Sequence, residues 1–349
     1  MKKRVIVAMS GGVDSSVGIY LLQKAGYEVC GITLQLSSES EHINTAKQIA
    51  DKLNIEHRVL DIRQEFKSLI IDYFAQEYIL GHTPNPCLQC NSLIKFGILM
   101  NIAVKEDAYF STGHYAQIDY DQEKDIYLIK KAKDAKKDQS YVLFMLDQAK
   151  LSRLLLPMAE KTKQEIKLIA EQLELGLDLN KESQDICFIP NKDYVNYIKK
   201  HLPAFSPQPG KIINNQGKVV GTHKGIIFYT IGQRKGLGIA HTEPLFVIRI
   251  NQEDNTIIVG TESELYNHRC VLKNTFFAHP DFNVQEFNAQ VKIRYHHKPA
   301  QATISRQSDN SYQIEFLEPQ KSITIGQGAV FYDSEDRVIG GGIITGIVY

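Results

Sequence analysis

Net charge is what this chain lacks first: 40 basic side chains balance 40 acidic ones over 349 residues. No global field draws it to a polyanion, so a nucleic-acid partner has to be held by local patches. Long apolar runs are absent as well. No window reads as a membrane span, and the N-terminal MKKRVIVAM is basic but too short in its apolar part for a signal or transit peptide. No membrane partner is expected. Cysteine is scarce, and its count of five is odd, which argues against a secreted disulfide scaffold and for a reducing, cytoplasmic setting. There is no internal repeat and no long low-complexity tract.

The content that is present is that of a folded protein, with 43% hydrophobic and 23% charged residues. The length exceeds what one core supports, so two or three domains are expected. Strand-like runs at residues 4–9, 28–36, 55–60 and 108–112 alternate with helical patterns at 15–25, 43–53, 64–79 and 93–106. That rhythm predicts an α/β domain built on a doubly wound parallel sheet. Helix is further expected throughout 150–175 and over 191–201. The proline-rich SPQPG at 206–210 marks a boundary. Beyond it, short strands and turn signals such as NNQG and QEDN predict two small, mainly β domains. The expected domains are 1–200, 201–265 and 266–349.

Charge is unevenly spread. No acid occurs from Tyr194 to Thr242, where Lys199, Lys200, Lys211, Lys218, Lys224, Arg234 and Lys235 lie, and none from Phe287 to Ser308, where Lys292, Arg294, Lys298 and Arg306 lie. Two cationic bands in a neutral chain are consistent with a polyanion partner.

The first strand runs into SGGVDSS, Ser10 to Ser16, and then a helix. Gly11 and Gly12 permit close backbone approach and positive φ. The helix start offers unsatisfied N–H groups to pyrophosphate, and Ser10, Ser15 and Ser16 add hydroxyls. No G-K-[ST] follows, which excludes the kinase-type P-loop. Asp14 beside phosphates is repulsive unless a cation intervenes, and Mg²⁺ is the natural one. The string resembles the PP-loop of ATP pyrophosphatases, a resemblance that implies adenylation of a substrate oxygen with release of pyrophosphate.

The incoming nucleophile is suggested by the cysteines. Cys87 and Cys90 form a C-x-x-C in PNPCLQCN, read as a loop between two helices, and Cys187 follows in ESQDICFIP. Thiolates are the strong nucleophiles and soft ligands of the set. Cys30 and Cys270 read as core residues.

SGGVDSS, GHTPNPCLQCNSLIKFG, TGHYA, KKDQSYVLF, SQDICFIP, TIGQRKGLGI, KIRY and GQGAVFY occur in that order over nearly the whole chain. Together they are similar to the bacterial tRNA-specific 2-thiouridylases, the MnmA family within the PP-loop ATP pyrophosphatases. The resemblance implies ATP-dependent thiolation at C2 of wobble uridine 34 in tRNAs for Lys, Glu and Gln, with a sulfur-relay or cysteine-desulfurase protein as donor. It implies an ATP site lined by Ala8, Met9, Ser10, Gly11, Gly12, Val13, Asp14 and Ser15, with Leu34 and Gly113. Cys90 becomes the nucleophile and Cys187 the persulfide carrier. Lys137, Asp138, Gln139, Arg294 and Tyr295 become tRNA contacts, and Asn85, Pro86 and Cys87 the segment that meets the target base.

Cys87 stands where many relatives carry an aspartate. Two readings follow. Either Cys87 substitutes as a base or resolving thiol beside a persulfide route, or Cys87, Cys90 and Cys187 hold a [4Fe–4S] cluster with one open iron. The cluster is the preferred role for Cys87. Zinc completed by His82 or His114 is a weaker third. The competing functions are another PP-loop ligase and a nucleic-acid binder with a structural metal.

Overall fold

The computed structural model describes residues 2–39, 41–179, 186–189, 193–202 and 204–349. Residues 182–185 and 190 of ESQDICFIP, and the first two residues of the helix expected over 191–201, lie outside them.

Strands β1 (Arg4–Ala8), β2 (Glu28–Gln35), β3 (Glu56–Asp61), β4 (Tyr109–Ser111) and, after the hairpin β5 (Gln117–Asp121) and β6 (Ile126–Lys130), β7 (Leu154–Leu155) account for the first domain. Five of them form one parallel sheet in the order β3-β2-β1-β4-β7. Alternation along β1 explains why the sheet is covered on both faces. Val5, Val7 and Met9 pack with Ile19, Leu22, Ala46 and Ile49 of the helices Val13–Lys24 and Glu41–Lys52. Ile6, with Cys30, Ile32 and Phe110, packs on the other face against Phe96, Leu99, Met100 and Ala103. Those four belong to the helix Pro86–Lys105. By length and composition alone that helix would suffice to cross a membrane, but here its apolar side covers the sheet.

Three expectations are corrected. Residues 150–175 are not one helix: after the turn Gln148–Leu151, β7 pairs Leu154 with Phe110, and helix resumes only at Lys163–Gln172. Pro157 disfavours helix in the residue before it, and a Thr162–Glu165 capping box starts the second helix. Cys87 and Cys90 are not in a loop, because helix begins at Pro86. The hairpin β5–β6, overlooked for its polar sequence QIDYD, leaves the first domain to join the C-terminal sheet through β6 and β17.

The central domain is a four-stranded sheet, β10-β11-β8-β9, from β8 (Gly210–Asn214), β9 (Val219–His223), β10 (Phe246–Asn251) and β11 (Thr256–Gly260). The last domain comprises β12 (Tyr266–Phe277), β13 (Glu286–Lys292), β14 (Ala300–Arg306), β15 (Tyr312–Lys321), β16 (Gly328–Tyr332) and β17 (Arg337–Val348). Because β12 pairs with both β15 and β17, these six close into a barrel. Cys270 lies in its core, and Cys30 in that of the first domain, as expected of small hydrophobes.

Candidate active site

After β1 the chain turns at Gly11, whose φ of +74° suits glycine and whose Cα faces the backbone of His42 and Ala46 at Cβ-contact range. Gly12 is the N-cap of the helix Val13–Lys24 and supplies no side-chain cap. The serines knit the loop: Ser15 and Ser16 hydroxyls donate to Gly12 O at 3.1 and 2.8 Å, and Ser10 N donates to Ser15 Oγ at 3.3 Å. Gly12 N donates to Ser10 Oγ at 3.4 Å, so what the turn leaves for a ligand is the first-turn N–H groups of the helix, at its positive end. Leu34, half-buried on β2, offers its carbonyl to His42 Nε2 at 3.1 Å. Ala8 and Met9 end β1 beneath the loop.

Asp14 is held from two sides. The Tyr115 hydroxyl donates to its Oδ1 at 2.7 Å and the Lys163 ammonium reaches the same oxygen at 2.6 Å. Lys163 is the first residue of its helix, and its side chain is only 14% exposed. Sequence reasoning missed it. The signal was there as a need: a phosphate loop without lysine has to borrow a cation. Asp14 is 34% exposed, and its other carboxylate oxygen would be the protein's ligand for a cation such as Mg²⁺.

The TGHYA segment after β4 joins this loop to the thiols. A Cβ at Gly113 would lie 3.0 Å from Ser15 N and 3.2 Å from Asp14 Cβ, so Gly113 sits against the helix start. His114 is buried, and its Nδ1 lies 2.7 Å from Thr112 Oγ1. Its Nε2 lies 3.4 Å from Lys95 Nζ. An ammonium only donates, so Nε2 is the acceptor and Nδ1–H donates to Thr112. Burial, then Lys95, hold the His114 ring neutral. Gln139 clamps the same segment, accepting from Tyr115 N at 3.0 Å and donating its own N–H to Tyr115 O at 2.8 Å.

Asn85 is the N-cap of the thiol-bearing helix, accepting from Cys87 N at 3.1 Å, and the buried Pro86 takes the first helical position, where a missing N–H costs nothing. Cys90 opens the π-helical stretch Cys90–Leu99, which carries Lys95. Burial pushes the Cys90 thiol up to about 11, opposed by the ammonium of Lys95. Burial also raises Cys87 and Cys187, again opposed by Lys95, and both act electrostatically on Cys90. Cys87 and Cys187 are nonetheless exposed by area. Crowded yet open is the condition of a cleft wall. Phe188 fixes the next position, with its ring 5.6 Å from Phe66, 5.5 Å from Phe74 and 5.4 Å from Tyr197.

All five cysteines are free thiols. Among the described residues, no three His, Cys, Asp or Glu side chains are grouped so as to hold a metal ion. The ligand set expected for a cluster is therefore not assembled in this arrangement. His82 Nδ1 lies 2.8 Å from Glu77 Oε2, and both ring nitrogens of His114 are engaged as described.

Of the expected RNA contacts, Asp138 is buried, accepting from Ala132 N, Ser140 N and Ser140 Oγ. Lys292 lies 3.9 Å from its Oδ2 and faces the rings of Tyr141 and Tyr295, which joins the KDQ and KIRY segments. Lys137 is half-buried beside them. Arg294 is turned inward, donating to Ser322 O at 2.8 Å and to Thr324 Oγ1. Lys199, Lys200, Lys211, Lys218, Lys224, Arg234 and Lys235 are all exposed. The second cationic band is largely consumed internally, with Arg306 also bound to Asn283 and Asn310.

A parallel sheet whose first crossover is SGGVDSS, capped by an acid–lysine pair and lacking a P-loop lysine, defines a nucleotide-binding domain of the PP-loop class. Family models extend the match along the chain: a tRNA methyl transferase HUP domain over residues 3–191, a tRNA methyl transferase PRC-barrel domain over 195–261 and an aminomethyltransferase β-barrel domain over 267–344. A tRNA-specific 2-thiouridylase MnmA 1 of Clostridium botulinum is 42% identical over 99% of both chains. The tRNA-specific 2-thiouridylase MnmA of Clostridioides difficile is 42% identical over 99% of this chain and 98% of its own. Among solved structures, a 4-thiouridine synthetase–RNA complex with bound ATP aligns over 58% of this chain and 50% of that one, at 15% identity and a TM-score of 0.35. The chain belongs to the tRNA-specific 2-thiouridylase family.

Proposed function

We propose that the protein is an ATP-dependent tRNA sulfurtransferase that replaces O2 of wobble uridine 34 with sulfur in tRNAs for Lys, Glu and Gln. One observation carries this reading beyond family membership: residues 112–115 touch the phosphate loop at Gly113 and Tyr115 and the thiol group's Lys95 at His114. Adenylation and sulfur transfer then share one wall.

The uracil C2 oxygen attacks the α-phosphorus of ATP and pyrophosphate leaves. The loop N–H groups and Lys163 bind the departing charge, while Asp14 positions Mg²⁺, which when bound neutralises the phosphates. The Cys90 thiolate attacks Sγ of a Cys187 persulfide. Hydrosulfide is expelled, and the two cysteines are left as a disulfide. Hydrosulfide adds at C2 and AMP leaves. Two thiols of the donor or of a cellular dithiol reductant then exchange in turn with the Cys90–Cys187 disulfide, returning both cysteines as thiols and leaving as a disulfide themselves. Asn85, Pro86 and Cys87 meet a base splayed from the anticodon loop. Tyr295, Gln139 and Lys137 flank it, and Asp138 shapes their loop.

The persulfide route is preferred to the cluster because the thiols do not form a ligand set as arranged. Anaerobic purification separates the two: stoichiometric iron and sulfide with activity lost on iron removal would establish the cluster. The function itself is tested by nucleoside mass spectrometry after incubation with unmodified tRNA, ATP and sulfide. Gain of 2-thiouridine at position 34, abolished in Cys90→Ser, is expected, and no gain with active ATP and folded RNA removes the reading.

A further inference from the structure

The helix that carries Cys87 and Cys90 begins in a segment that its own domain does not hold alone. Thr83 N donates to Ile325 O at 3.0 Å and Asn85 N to Gly326 O at 3.3 Å. The Gln327 side-chain amide returns a bond to Thr83 O at 2.6 Å. Residues 83–85 therefore pair with a turn of the C-terminal barrel much as one strand pairs with another. The fit is close as well as bonded. Gly326 has φ of +91°, and a Cβ there would lie 3.0 Å from the Thr83 carbonyl carbon and 3.1 Å from Pro84 N. A Cβ at Gly328 would lie 2.9 Å from Leu88 Cδ1, between the two cysteines.

The turn is itself braced. Arg294 donates to Ser322 O and Thr324 Oγ1, and Gly326 N and Gln327 O are tied to Ile344 of β17 at 2.9 and 2.8 Å. The central domain adds a third hold, a hydroxyl pair between Thr230 and Thr83. Of these, the bonds from Ile325, Gly326 and Gln327 reach the backbone of the thiol segment, and the others hold the turn and Thr83 in place.

We infer that the barrel turn 325–327 is a template for the thiol site, with Gly326 and Gln327 acting as positioning residues that set where Cys87 and Cys90 stand. Arg294 braces that turn from within the barrel, so the barrel and the start of the thiol-bearing helix share one element. The inference rests on the proposed thiolation for its consequence, but not for its test.

The test is peptide-resolved alkylation of Cys90 by iodoacetamide in the full chain, without RNA or ATP. In Gly326→Ala, the new Cβ displaces residues 83–84 and Cys90 is expected to alkylate at least fivefold faster than in the wild type. In Gln327→Met, which keeps length and loses the donor, at least threefold is expected. Leu317→Ser, at a 74% exposed site on the far run of β15, is expected to match the wild type. In single turnover, Gly326→Ala should lower the thiolation rate at least tenfold with tRNA Kd changed less than threefold, a split that general destabilisation does not produce. Cys90 alkylation within twofold of wild type in both variants overturns the inference. If Gly326→Ala fails to fold, Gln327→Met alone decides by the same criterion. If the wild type makes no thiouridine, the proposed function falls while the alkylation comparison still decides this inference.

Discussion

The surroundings of Cys90, the proposed nucleophile, favour its protonated form. With its thiol pushed up to about 11, roughly one part in ten thousand is thiolate at pH 7. A raised pKa loses the proton only as pH climbs, so Cys90 alkylation is expected to rise about tenfold per pH unit between 7 and 10. Lys95 works against the burial. Lys95→Met should therefore slow Cys90 alkylation severalfold at pH 8, and a rate equal to wild type would remove Lys95 from the thiol's electrostatics. The same logic of a supplied charge applies at the phosphate loop. Lys163 is held near the phosphate position by Asp14. Lys163→Met is expected to raise the KM for ATP about tenfold, on the scale of losing one charge-assisted contact of 1–2 kcal/mol. Lys163→Arg should restore part of it, and pyrophosphate release at varied ATP measures both. Tyr115→Phe, which removes one neutral donor to the same oxygen, should have a smaller effect.

At the scale of elements, the start of the helix Pro86–Lys105 is decided by two adjacent residues. Asn85 caps it and Pro86 fits its first position. Asn85→Ala is expected to cost about 1 kcal/mol in denaturant unfolding and Asn85→Asp much less. Both signals are present in PNPC, yet a cysteine pair bracketed by prolines reads as loop, because proline marks loops as well as the first position of a helix. The same residue type misled in the opposite direction at Pro157, where an apolar run of leucines reads as helix and is in fact the edge strand β7. Strands of the first sheet were legible because both their faces are apolar, as in β1, and their helices because each has an apolar stripe. The hairpin β5–β6 was not, since QIDYD of β5 buries little and β17, the outer partner of β6, lies more than two hundred residues on. Motifs pointed to Ser10–Ser16, Cys90 and Cys187 as the candidate site. They did not name Lys95, Lys163 or Tyr115, which act through space from elements with no motif of their own.

For the whole molecule, the relevant quantity is where the cations go, since their sum with the acids is zero. In sequence two acid-free bands looked alike. In the fold, the one from Lys199 to Lys235 is exposed throughout, while Lys292, Arg294 and Arg306 of the other are engaged with Asp138, Ser322 and Asn283. Burial withdraws Lys292 and Arg294 from the surface that can release counterions, while Lys298 stays exposed. Phosphates meeting the first band should make tRNA affinity fall steeply with salt, each contact adding about 0.7–0.9 to the slope of log K against log salt. Lys224→Gln, Arg234→Gln and Lys235→Gln together are expected to weaken tRNA binding and to lower that slope by about 2. Arg306→Gln, whose guanidinium already serves Asn283 and Asn310, should leave it unchanged. Filter binding across a salt series measures both, and a slope unaltered in the triple variant would move the RNA backbone off the central domain.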